Sequence, residues 1–221
     1  MAITSNYEKH TTKNPIGRWF LNNFINELIS TVRPLQLESI LDVGAGEGFT
    51  LARLSLEKIG KKLEGIEYLE EAIELGKTLH PKMVIKQGTI YQLPYRDNSF
   101  DLVISTEVLE HLDSPEKGLQ ELIRVSKKYV LVSVPNEPWF TIQRFIRGKN
   151  ILKLGDHPEH LHHWTSKGFR EFVERHANSK VRIVAKKYPF PWTMLLLDTL
   201  SSHERILTKG KTAISSILLR Y

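Results

Sequence analysis

The chain has 221 residues, and 31 lysines and arginines against 25 aspartates and glutamates leave a net charge of +6. That length can bury a sizeable core, so one domain with an insertion is expected in preference to two. No cysteine is present, which excludes disulfides, iron–sulfur clusters, thiolate zinc sites and a cysteine nucleophile.

In chain order, the polar start "MAITSNYEKHTTKN" lacks the apolar middle of a secretion signal. No apolar run reaches the roughly 18 residues that a spanning helix needs, so a cytoplasmic address is expected. Residues 16–32 should form a helix lying across a sheet or over a ligand, and residues 1–35 should serve as a helical lid. "SILDVG" (39–44) is a short apolar run closed by glycine. Residues 48–60 carry Phe49, Ala52, Leu56 and Ile59 at helical spacing. "KLEGIEY" (62–68) reads as a strand, and residues 69–80 as a helix closed by His80 and Pro81.

"MVIKQG" (83–88), "FDLVIST" (100–106) and "KKYVLVSVPN" (127–136) are three further strands, with a helix opened by Pro115 before the last of them. Residues 137–165 mix aromatics, prolines and histidines, as a cap inserted over a site would. A helix over 166–176 with Ser166 as its N-cap and a strand over 180–190 follow. The tail 191–221 is ambiguous: "TMLLLDTL" reads as helical, and "ISSILLRY" as a last strand or an amphipathic helix. Strands separated by helices imply parallel pairing with right-handed crossovers. The expected fold is α/β: a Rossmann-like open sheet of about seven strands, mostly parallel, with helices on both faces and a cap insertion.

The basic residues fall in scattered pairs (Lys61 and Lys62, Lys127 and Lys128, Lys186 and Lys187). They form no coherent basic face, so a nucleic-acid partner is not expected.

The densest motif is "SILDVGAGEGFTL" (39–51). Three ligands need a strand that turns so tightly into a helix: a dinucleotide, a nucleotide phosphate or a sulfonium nucleoside. A dinucleotide loop wants G-x-G-x-x-G, yet Phe49 stands where the third glycine belongs. A phosphate loop ends in Gly-Lys-Ser/Thr, and no such ending follows. Asp42 would repel a pyrophosphate but complements a cationic amino acid moiety. Glu67, at the end of the second strand, sits where a ribose diol can donate two hydrogen bonds.

At these residues the sequence resembles the class I S-adenosylmethionine-dependent methyltransferases, and among them the small-molecule, quinone-biosynthesis-like subgroup. "LDVGAGEGFTLARL" looks like their first motif and "EGIEYLEEAIELGK" their second; the block from Gly88 to Asn136 looks like their third-to-fifth-strand region. The resemblance implies S-adenosyl-L-methionine as cofactor and S-adenosyl-L-homocysteine as product. Gly44, Ala45 and Gly46 would line the methionine portion, with Asp42 fixing the loop and facing the amino group. Glu67 would bind the ribose, Tyr68 would stack on adenine, and Gly88, Thr89 and Ile90 would border its edge. Thr89 stands where the family often has an aspartate, and a hydroxyl accepts more weakly there. Ser105, Thr106 and Glu107 would run along the cofactor on the acceptor side.

The resemblance further implies methyl transfer to the oxygen or carbon of a small-molecule acceptor. If that acceptor must lose a proton, His111 in "VLEHL" and His163 in "DHPEHLHHW" are the candidate bases. The cluster His157, His160, His162 and His163 would suit a divalent metal by ligand type. Its spacing matches no metal motif, so a polar lid is the preferred reading and no metal is assigned. Trp139, Phe140, Phe145, Trp164, Tyr188, Phe190 and Trp192 would line a pocket for an apolar or aromatic acceptor, or pack as the insertion's core. The alternative to an enzyme is a cofactor-binding, catalytically inactive protein with a regulatory or partner-binding role.

Overall fold

The structure is a computed structural model and describes residues 4–137, 139, 160–177 and 181–199. Strands β1 (Ser39–Val43), β2 (Lys62–Glu67), β3 (Val84–Gln87), β4 (Phe100–Thr106), β5 (Ser126–Pro135), β6 (Arg182–Lys187) and β7 (Trp192–Asp198) form one sheet in the order 3-2-1-4-5-7-6. Strands β1 to β5 pair in parallel, while β7 runs antiparallel to both β5 and β6. This is the Rossmann-like open sheet expected from the sequence. Its chain order reverses between β1 and β4, and the carboxyl edge at such a switch point leaves a crevice.

The helices are α1 (Ser5–Thr11), α2 (Pro15–Val32), α3 (Phe49–Leu56), α4 (Glu70–Leu79), α5 (Pro115–Val125) and α6 (Ser166–His176), with a 3-10 turn at Leu109–His111. Side chains alternate across a strand, and the core divides accordingly. Leu41, Val43, Val103, Val130 and Val132 face a cluster that includes Leu119 and Leu122 of α5 and Phe169 and Val173 of α6. Ile40, Leu102, Ile104 and Leu131 face the other side, against Phe24, Ile25, Leu28 and Val32 of α2. Each fully buried leucine here is worth about 1.5–3 kcal/mol relative to exposure.

Two local readings change. The N-cap of α6 is Thr165, whose hydroxyl accepts from the Gly168 N–H; Ser166 is already helical and its Oγ sits 2.7 Å from the Thr193 hydroxyl. Residues 192–198, where "TMLLLDTL" reads as helical, instead form a wholly buried strand, because pairing with β5 and β6 fixes an apolar run that has no period of its own. The stretch "ISSILLRY", Phe140, Phe145, His157 and most of the expected cap lie outside the described residues. Among the described residues no helix is long and apolar enough to cross a membrane.

Candidate active site

The turn after β1 takes a left-handed path, with φ +78° at Gly44, +54° at Gly46 and +84° at Gly48. A side chain would be strained at these angles. A Cβ on Gly44 would lie 2.3 Å from Val108 Cγ2, and one on Gly46 would lie 2.5 Å from the Asn6 amide nitrogen. The loop is tied to β2, since the Gly44 and Ala45 N–H groups donate to the Ile66 carbonyl at 2.8 and 3.1 Å.

Glu67 completes that tie. Its Oε2 accepts from the Gly46 N–H at 2.7 Å, and its Oε1 accepts from the Tyr68 and Leu69 N–H groups at 2.7 and 2.9 Å. Two carboxylate oxygens offer about four lone-pair sites, so one on Oε2 is left toward the crevice. Asp42 lies behind the loop, 2 % exposed, and its Oδ1 has no hydrogen-bond partner. Burial, and then the Glu67 carboxylate, push its carboxyl up to about 7.

The crevice itself is about 1060 Å³, at the upper end for a small-molecule site. Gly44, Ala45, Gly46, Glu67, Tyr68, Gly88, Thr89, Ile90, Thr106, Glu107 and His111 all border it. Tyr68 is 73 % exposed, with its ring available to a planar ligand. The Thr89 hydroxyl already accepts from the Tyr91 N–H at 3.3 Å. Three of the expected site residues stand outside this lining. Asp42 is covered by the loop, and Ser105 directs its Oγ proton to the Val43 carbonyl at 3.0 Å. His163 instead pairs with Glu137, Nδ1 to Oε1, at 3.8 Å.

Helix α1 closes the crevice from above and carries several residues that sequence reasoning overlooked. Thr4 caps it by accepting from the Tyr7 N–H. The Thr4 hydroxyl and the Asn6 amide donate to Glu47, which is fully buried inside the glycine loop. Lys9 pairs with Glu107 at 2.6 Å and lies 5.9 Å from the centre of the Trp192 ring. Glu107 has φ +57°, a strained value for a non-glycine residue of the kind that clusters at functional sites. His10 stacks on Phe49 with ring centroids 4.2 Å apart, and burial, then Lys9 and His80, hold its imidazole down to about 3.

At the far end, the His111 and His160 rings meet edge to face at 4.9 Å, and both border the crevice. Glu110 between them is 1 % exposed, and neither carboxylate oxygen accepts from another residue. Burial, and then the nearby Glu107 carboxylate, push Glu110 well above the ordinary carboxyl range. The aromatics divide. Trp164 packs on Phe169 and Phe172, Trp192 borders the crevice, and Trp139, Tyr188 and Phe190 are exposed.

Residues 41–132 match a family described as a methyltransferase domain. Over that region the chain is similar to S-adenosylmethionine-dependent methyltransferases, among them a probable one of Mycolicibacterium smegmatis, 29 % identical over 104 residues, 46 % of this chain and 40 % of that one. The domain is similar to norajmaline N-methyltransferase of Rauvolfia serpentina, 32 % identical over 95 residues, 40 % of this chain and 32 % of that one. It is also similar to the mitochondrial ubiquinone biosynthesis O-methyltransferase of Saccharomyces cerevisiae, 30 % identical over 135 residues, 57 % of this chain and 42 % of that one. The chain spans about a third to a half of the length of the curated relatives it matches. Its fold is that of the Synechocystis magnesium protoporphyrin IX methyltransferase solved with bound S-adenosylhomocysteine. That likeness has TM-score 0.63 at 13 % identity and covers 89 % of this chain and 95 % of that one.

Proposed function

We propose that this methyltransferase moves a methyl group from S-adenosylmethionine to an oxygen or carbon of a small, apolar or aromatic acceptor. The observation that carries the reading is the left-handed glycine loop locked to β2 by Glu67 at the switch point of the sheet. The cofactor, when bound, supplies a methyl group on a cationic sulfur. The remaining Oε2 lone pair of Glu67 suits a ribose hydroxyl, whereas Asp42, covered by the loop and outside the lining, is not assigned to the cofactor's amino group. Tyr68 offers its exposed face to adenine. Thr106, Glu107 and His111 continue the crevice toward the acceptor.

In-line transfer to such an acceptor needs close, collinear positioning above all else. Helix α1 contributes by excluding water from the crevice, with its polar groups turned onto Glu47 and Glu107. His111, which borders the crevice, would be the group that takes a proton from an acceptor that must lose one. The relatives named as O- and N-methyltransferases of small molecules favour this acceptor class.

The direct test is S-adenosylhomocysteine production against quinols, phenols, sugars, lipids and RNA. Turnover with a phenol or quinol and none with RNA is expected; turnover with RNA alone would overturn the acceptor class. Glu67→Ala should weaken S-adenosylmethionine at least tenfold by calorimetry while thermal unfolding stays cooperative. Unchanged affinity would remove Glu67 from the binding set.

A further inference from the structure

Among the described residues, carboxylate and imidazole ligand atoms come together in two overlapping groups, Glu110–His111–His160 and Glu137–His160–His163. In the first group the ligand atoms all lie within 4.8 Å of one another, and two of its members border the crevice. We propose that Glu110, His111 and His160 hold a first-row divalent cation of the zinc or manganese type at the acceptor end of the crevice. This inference deepens the methyltransferase reading and rests on it for its chemical role.

Two observations independent of the cluster itself point to a ligand. The first is Glu110. A carboxylate withdrawn from water is costly unless it is neutralised or paired with a cation. Glu110 is 1 % exposed, and neither of its oxygens accepts a bond from another residue. The second is how His160 is held, 49 residues along the chain from His111. The Leu161 and His162 N–H groups both donate to the Glu110 carbonyl, at 2.9 and 3.1 Å, and His162 Nε2 lies 2.9 Å from the Leu112 carbonyl oxygen. The backbone on either side of the cluster is thereby fastened together, which pre-positions the ligands for binding.

Two imidazoles and one carboxylate are the donor set of a catalytic zinc site, with three protein ligands and a position open to substrate. Ligands at about 2.1 Å from a tetrahedral ion stand roughly 3.4 Å apart, so the three groups must draw together by about an ångström on binding. His163 beside Glu137 supplies a histidine–carboxylate pair on the next layer, where such pairs orient ligating rings.

With the cation bound, His111 would serve as its ligand in place of acting as the base, and an acceptor hydroxyl at the open position would give up its proton to solvent more readily, because the cation stabilises the oxyanion. The oxygen lone pair then forms the new O–C bond. The C–S bond breaks, and its electron pair returns to sulfur, which leaves as a neutral thioether.

The test uses the full chain stripped with chelator and dialysed, then titrated with Mn²⁺ by electron paramagnetic resonance and with Zn²⁺ by calorimetry. One ion per chain is expected. Glu110→Gln and His160→Ala should each weaken it at least tenfold, while His176→Ala, on α6 away from the crevice, should match the parent. Mn²⁺ should also broaden the ring-proton signals of His111 and His160 in the unsubstituted chain, which covers the case of a variant that fails to fold. Absence of a stoichiometric site, equal affinity in the variants, or broadening confined to other histidines would each overturn the proposal. A parallel S-adenosylhomocysteine titration separates the two readings: cofactor bound without metal removes the cation site alone.

Discussion

On the glycine-loop side of the crevice, apart from the contacts of Thr4 and Asn6 with Glu47, the donors are backbone N–H groups. Gly46, Tyr68 and Leu69 give their N–H groups to one carboxylate, and Gly44 and Ala45 give theirs to one carbonyl. On the side proposed for the acceptor the work falls to side chains brought in from distant parts of the chain: Lys9 from α1, Glu107, Glu110 and His111 from the turn after β4, and His160 from the described end of the expected cap. Backbone contacts presuppose a particular path of the chain and change little when side chains change. Side-chain contacts can be exchanged one at a time. The first kind suits a cofactor shared by many methyltransferases, and the second suits an acceptor that differs among them.

The sharpest way to break that division is to remove a side chain on the acceptor side and ask whether the cofactor side notices. His111→Ala deletes an imidazole that borders the crevice beyond Glu107. Turnover should fall by about 10²–10⁴-fold, the usual worth of a positioned acid–base group. Affinity for S-adenosylhomocysteine should stay within twofold of the parent. If both fall together, the two sides are one structural unit and His111 is a support of the loop.

The same division explains what the sequence revealed. The glycine loop, Glu67 and Tyr68 all stand where the apolar runs of their strands end, so their positions follow from local order. Strand β4 was legible to the residue, and β1, β2, β3 and β5 to within one residue at each end. Strand β7 was not, because the run Met194–Leu197 within "TMLLLDTL" consists of helix formers with no polar residue among them to set a period. Periodicity cannot separate a buried strand from a buried helix; pairing with β5 and β6, each from elsewhere in the chain, decides it. Helix α1 is seven polar residues, too short for a pattern, and it is fixed by the contacts of Thr4 and Asn6 with Glu47. Glu110 resembles a surface acid in "VLEHL", and only the 3-10 turn, which buries Leu109 and Glu110 together, shows otherwise.

A second test stays on the cofactor side and reads stability. Asp42 is held up to about 7 in the folded chain, against an ordinary value of 3.8. Between about pH 4 and pH 7 the folded chain therefore keeps a proton that the unfolded chain has released. Stability attributable to Asp42 falls as pH rises through that window and levels off above it. His10 contributes in the opposite sense, since a depressed imidazole favours the fold less as pH drops below about 6.5. The comparison that isolates Asp42 is the parent against Asp42→Asn, by urea unfolding at pH 5 and pH 7.5. The parent should lose a few kcal/mol more than the variant over that interval. Parallel losses would mean that Asp42 is ionised beneath the loop at both pH values.

The smallest expected effect concerns the strap that joins the two sides. Lys9 and Glu107 form a short ion pair with side chains 31 % and 19 % exposed, and pairs this open to solvent contribute about 1 kcal/mol at most. Lys9→Ala should leave the global unfolding midpoint nearly unchanged, because α1 adds little to either half of the core. The loss should appear locally. A cost near 1 kcal/mol raises the open fraction of a segment about fivefold, so amide hydrogens of residues 5–11 should exchange up to about fivefold faster, with β1 and β4 unchanged. Because α1 also reaches the glycine loop through Asn6 and Glu47, S-adenosylhomocysteine should protect residues 5–11 in both proteins. If it protects the parent alone, Lys9 transmits occupancy of the cofactor side to the acceptor side. If it protects both, the strap is held from the loop, and Lys9 serves to keep the Glu107 carboxylate paired while the acceptor position is filled.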